Sequence, residues 1–264
     1  MKTYLGMFKG EAKRIFSLRY LSVSVISMLL IMLLSAITYC RQYGVKSITF
    51  YALFEKICMG GFFLELIFIP ASFYIVINLS MDLVQKSAYL YIARSNVSAY
   101  VIAKIVIGVI FSIIVTEVSL NIFLLIGINS MDTVDREWLT GGVDVYEDIL
   151  RYNSILYFEI RILYICAAAG FFTAAGMLLT VIIPNKYVAV VSSYMTAIML
   201  EKIQLIAQVP SSIDISSITG GFIRTAPSVL HSVIYIVLFF SSCIAITAIF
   251  FIKIMKWRLY GERC

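Results

Sequence analysis

The sequence predicts an all-α integral membrane protein: six transmembrane helices, an amphipathic N-terminal elbow helix, and both termini on the cytoplasmic side. Three observations carry this reading. Apolar residues make up 61% of the 264-residue chain and charged residues only 14%, whereas a soluble domain is roughly one quarter charged. The apolar residues gather into six runs, each near the ~20 residues that cross a ~30 Å hydrocarbon layer. Basic residues crowd the ends of those runs on one side. Residues 1–264 therefore form a single transmembrane domain, with no room for a second, soluble one.

Residues 1–19 are too polar to span. Tyr4, Leu5, Phe8, Ala12, Ile15 and Phe16 fall on one helical face and Lys2, Lys9 and Lys13 on another, the pattern of an elbow helix lying in the headgroup layer. The first apolar run, about Tyr20 to Tyr39, starts too late and is too long for a cleaved signal, so it is expected to remain as a helix. A short loop with Arg41, Lys46 and Glu55 leads to the second span, about Ile57 to Leu79, which carries Gly60, Gly61, Glu65 and Pro70. A proline there kinks the helix, which neighbouring helices tolerate in a bundle.

Asn78 to Lys104 is the longest polar interruption on the cytoplasmic side. Its centre, residues 80–98, reads as a short helical hairpin facing water. The third span, about Val101 to Ile128, contains Glu117 with Asn121 one turn further on the same face.

Residues 129–153 form an extracellular acidic loop, in which six acids against two arginines leave a local balance of −4. Val145, Ile149, Tyr152 and Leu156 recur at helical spacing and lead into span four, about Ile155 to Ile183. Small residues at Ala169, Gly170, Thr173, Ala174 and Gly176 make that span a close-packing surface, within the chain or between two chains. Pro184, Asn185 and Lys186 form a turn before span five, about Tyr187 to Ala207. Residues 208–228, with two prolines and a Gly pair, are too apolar for an exposed loop and too broken for a span. They are expected to dip into the outer leaflet, buried against protein. Span six covers about Val229 to Ile252.

Orientation follows from the basic residues. With both termini inside, thirteen of the 21 Lys and Arg residues lie on that side, against only Glu11, Asp82 and Glu262. This is the asymmetry of the positive-inside rule. The formal charge of +6 thus reads as topology signal beside anionic membrane lipid, with no nucleic acid implied.

Several chemistries are excluded. No GxxxxGK[ST] phosphate loop occurs, so any ATP and Mg must be handled by a partner, and no cofactor is expected on this chain. The single histidine, His231, cannot supply a metalloprotease site, no GxSxG elbow nominates a serine nucleophile, and no catalytic residue or metal site is expected. The five cysteines show no CxxC spacing. Neither a voltage-sensing arginine helix nor a TVGYG-like filter is present. Glu65 and Glu117 sit inside predicted spans, where a charge costs roughly 2.5–3.5 kcal/mol. With Asn121 they mark either polar points on a translocation path or hydrogen-bonded contacts between helices.

The elbow, the six spans and the stretch from Asp82 to Lys104 together resemble the permease subunits of type-2 ABC exporters. The resemblance rests on Asp82, the Lys86-Ser87 turn, Leu90 to Ile92, the polar turn Arg94 to Ser98, Tyr100 and Lys104. Lys86 stands where that family often has glycine, and Asn96 where it often has proline. The resemblance implies a permease pairing with a second copy or a sister permease and docking a separate ABC ATPase. The implied coupling residues are Asp82, Gln85, Lys86, Tyr89, Leu90, Tyr91 and Arg94. It also implies export of amphipathic or antimicrobial peptides, or of hydrophobic drugs or lipids. A stand-alone channel or secondary transporter, or a membrane scaffold without transport, are the alternative classes.

Overall fold

In hydrocarbon a backbone has no hydrogen-bond partner but itself, so long apolar runs fold as helices. The computed structural model describes residues 2–44, 48–59, 62–94, 96–133, 149–150, 153–208 and 228–261. They contain nine helices and no strand: α1 (Lys2–Ile15), α2 (Leu18–Tyr43), α3 (Phe50–Met59), α4 (Phe62–Val84), α5 (Ser87–Arg94), α6 (Val97–Ser130), α7 (Ser154–Ile182), α8 (Lys186–Ile206) and α9 (Val229–Tyr260). Six of these, α2, α4, α6, α7, α8 and α9, are long and apolar enough to cross a membrane. The fold is that of a multi-pass membrane protein. Most of the acidic loop and of the broken segment at 208–228 lies outside the described residues, as do Gly60 and Gly61.

Side-chain caps set where helices begin. Ser17, Asn96, Asn153, Asn185 and Ser228 each accept a backbone N–H from the first turn of α2, α6, α7, α8 and α9 respectively, satisfying donors that the helix itself cannot. His231 belongs to such a cap, with its Nδ1 2.6 Å from Ser228 Oγ. The observed helices outrun the apolar runs: α4 continues five residues past Leu79, and α6 begins at Val97. Apolarity ends at the membrane boundary, but a helix ends only where a cap or turn stops it.

α7 occupies the centre, packed against α4, α6, α8 and α9, while α2 lies on α4 and α6. Its small residues make this possible within the chain. A Cβ on Gly170 would lie 3.1 Å from Val109, and one on Gly176 would lie 2.9 Å from both the Ser192 hydroxyl and the Ser193 backbone nitrogen of α8. A hydroxyl can rotate away, but backbone cannot. Gly176→Ala is therefore expected to cost about 1–3 kcal/mol of stability, read as a lowered thermal midpoint in detergent micelles; an unchanged midpoint would mean that α7 and α8 are not in backbone contact there.

α3 corrects the expected loop before span two. Phe50, Leu53, Phe54 and Ile57 are all buried, a spacing of i, i+3, i+4 and i+7 that makes one helical face. Its first N–H groups reach across to the end of α6: Phe50 N donates to Asp132 O at 2.8 Å and Tyr51 N to Thr133 O at 3.1 Å. The Phe50 ring occupies the space that a side chain at Gly127 would need.

Candidate functional site

The polar stretch after α4 makes a tight turn and a short helix. Gln85 and Lys86 form the turn, and Lys86 takes a left-handed backbone with φ 59°, a conformation costing a non-glycine residue roughly 1–2 kcal/mol. α5 then runs for eight residues. Ala88 and Ile92 point inward and are buried, whereas Tyr89, Leu90 and Tyr91 are exposed, Leu90 by 65%. Asn96 caps α6 and returns the chain to the bundle, its Oδ1 2.6 Å from Ala99 N. The side chain of Arg94 lies outside the described residues.

Beneath α5 is a buried ionic network. Lys104 of α6, with no exposed surface, places Nζ 2.7 Å from Glu11 Oε1 of α1 and 2.8 Å from Asp82 Oδ2 of α4. Arg14 of α1 donates through one guanidinium nitrogen to both oxygens of Asp82, at 2.9 and 3.0 Å, and through the other to Asn78 Oδ1 at 3.3 Å. Ser87 at the start of α5 donates to Asp82 Oδ1 at 3.2 Å, and the buried Tyr100 hydroxyl stands 3.5 Å from Oδ2. The Tyr100 ring lies 6.4 Å from that of Tyr91 in a stacked arrangement.

Two cations and two carboxylates balance, the condition under which buried charges are tolerated. Burial works against the Arg14 charge, but Asp82 and then Glu11 outweigh it and hold the guanidinium above its ordinary value. It stays charged at any pH the protein meets. Asp82 is thus the hub joining α1, α4, α5 and α6, and at 3% exposure it cannot itself touch a partner. Among the expected coupling residues whose side chains are described, Gln85, Lys86, Tyr89, Leu90 and Tyr91 are exposed.

No family model, curated protein or solved structure matches the chain. Its geometry is therefore the guide to what it does.

A second network lies beside the C-terminal half of α6, where Phe50 of α3 meets Phe123 of α6 and Phe158 of α7. Arg161 of α7 donates to both oxygens of Glu55 of α3, at 2.9 and 3.1 Å, and the Tyr157 hydroxyl donates to Glu55 Oε1. Burial pushes the Glu55 carboxyl above the usual carboxylate range, more strongly than Arg161 and Tyr157 pull it down. Glu55 had been expected in a loop; here it pins α3 to α7.

The expected path residues are not brought together. Glu65 lies near Glu201 of α8. Glu117 is exposed on α6, and Asn121 donates to its backbone carbonyl at 3.1 Å. Glu65 thus lies beside a neighbouring helix, while Glu117 faces out of the bundle.

Sequence reasoning passed over Glu11, Arg14 and Asn78, and on the other side Arg161 and Glu159. The signal was present in part: Glu11 and Arg14 are three residues apart, hence on one helical face, and Lys104 sits where span three is already apolar. Which acid meets which base depends on how α1 packs against α6, and periodicity does not encode that.

Proposed function

We propose that this chain is the membrane-spanning permease subunit of an ATP-driven exporter of the type-2 ABC kind. In this reading α1 is the interfacial elbow, both termini are cytoplasmic, residues 80–98 couple to a separate ATPase, and two such subunits flank the exported molecule. One observation carries it: α5 presents Tyr89, Leu90 and Tyr91 outward while its root is tied through Asp82 and Ser87 to α1, α4 and α6.

That is the mechanical requirement for being driven from outside. A push on α5 meets a charged joint tied into the bundle instead of a slack loop, so it moves the inner ends of three helices together. The exposed aromatic and aliphatic side chains provide the anchor type that dominates protein interfaces. Lys86 and Arg94 supply positive charge for acidic groups of the ATPase, and ATP with Mg is held by that partner. The left-handed backbone at Lys86 supports the resemblance, because it is the geometry for which a glycine at this position would be chosen. Amphipathic peptides, and next hydrophobic drugs or lipids, fit a transport route bordered by apolar helices.

The test is purification of the tagged chain from native membranes in mild detergent, with ATP hydrolysis measured in the eluate. An ATP-hydrolysing subunit is expected to co-purify, and Leu90→Glu is expected to reduce its recovery at least tenfold while leaving the permease folded. Transport by the purified chain alone in liposomes, without ATP, would overturn the proposal in favour of a stand-alone carrier.

A further inference from the structure

Between α6 and α7 a groove of about 290 Å³ opens on the flank of the bundle. Its walls include Ile113, Ile160, Leu163 and Cys166, and the carboxylates of Glu117 and Glu159 edge it. Cys166 is buried, with its thiol turned toward the Ile113 carbonyl at 3.8 Å, so the floor offers no charge. Both glutamates are exposed, and among the described residues neither is paired with a Lys or Arg.

We propose that this groove binds an amphiphilic cation: a compact apolar body bearing one positive charge. The argument is charge complementarity on an apolar surface within the membrane. Counted along the helices, Glu159 lies about 8 Å from the start of α7 and Glu117 about 20 Å from the end of α6, inside the spans. A carboxylate at such depth needs a cation or a proton, since lipid tails offer neither. Asp82, by contrast, has Lys104 and Arg14 as partners, so these two stand apart from it. Attraction between opposite charges grows as water is excluded, which favours a cation over a neutral molecule of the same shape. The volume is at the lower end of small-molecule sites, roughly 300–1,000 Å³, too small for a helix and suited to a few rings or a short branched chain. As an entrance for cargo the groove rests on the permease reading; binding itself does not.

The experiment uses the full chain in phosphatidylcholine nanodiscs, with equilibrium binding of radiolabelled tetraphenylphosphonium corrected for empty discs. Saturable binding near one per chain is expected, weakened at least fivefold by Glu117→Gln or Glu159→Gln and abolished in the pair. Leu163→Trp, which fills the groove without changing charge, is expected to abolish it as well, and Glu201→Gln to leave it intact. Neutral triphenylphosphine oxide should not displace the cation. Absence of saturable binding, full binding by the double variant or by Leu163→Trp, or displacement by the neutral oxide would each overturn the proposal. No ATPase enters this measurement. Cation binding without an ATP-hydrolysing partner would sink the permease reading alone, and a partner without cation binding would sink this inference alone.

Discussion

Replacing Lys104 with Met is expected to destabilise the protein by about 3–5 kcal/mol, the cost of removing one member of a buried, paired set of charges. Lys104 has no exposed surface and bridges Glu11 and Asp82. Without it Asp82 keeps Arg14, but Glu11 is left with only that arginine, 3.8 Å away, and one carboxylate is in excess. A second change, Glu11→Leu, restores the balance and is expected to recover most of the loss. That recovery distinguishes a charge effect from a packing defect, because removing a further side chain from a damaged core would make matters worse. Unfolding in mixed micelles followed by circular dichroism reads both variants. A loss below about 1 kcal/mol for Lys104→Met would show that Lys104 is not buried between Glu11 and Asp82. The variant should also loosen α5, so hydrogen exchange at residues 87–92 should rise more than at α8.

Arg161→Leu is expected to cost about 3 kcal/mol and to release α3 first, seen as faster hydrogen exchange over Phe50–Ile57. The reason is that Arg161 offsets the Glu55 charge against burial, and Tyr157 cannot do so alone. The pH dependence has a definite sign. Burial raises the Glu55 carboxyl above its unfolded value, so the folded protein binds the extra proton and its stability is greatest below the ordinary carboxylate range. That contribution is lost as pH rises through the raised value. Glu55→Gln is expected to flatten this part of the stability–pH curve. A curve that instead climbs with pH over this range, and loses the climb in Glu55→Gln, would mean that Arg161 holds the carboxylate below its ordinary value.

The two networks lie beside opposite halves of α6 and differ in what they brace. In the first Asp82 ties the short α5 to three longer helices; in the second Glu55 ties α3 to α7. In each case a short amphipathic helix outside the six long ones is fastened at a carboxylate, α5 through Ser87 to Asp82 and α3 through Glu55 to Arg161. Packing alone would hold such short pieces weakly, because eight- and ten-residue helices are marginal by themselves. The Arg161 pair sets the register of α3, since a shift of one turn would carry Glu55 away from it, while α5 is located by the Ser87 bond to Asp82.

The number of long helices, their approximate limits and the all-α class followed from the sequence, because lipid imposes length and internal hydrogen bonding on each segment separately. So did the amphipathic α1, a short helical hairpin within residues 80–98 and the close-packing face at Ala169–Gly176, each a local pattern. The tertiary structure alone decided that this face meets α6 and α8 of the same chain, that α3 is a helix, and that Asp82 is a hub instead of a surface contact. It alone separated Glu65, which lies near Glu201, from Glu117, which faces outward with Glu159 along one groove. The physical reason is that apolar periodicity reports which side of a helix avoids water, whereas the partner of a buried charge is fixed by residues 68, 93 or 106 positions distant, and only the packing of helices brings those together.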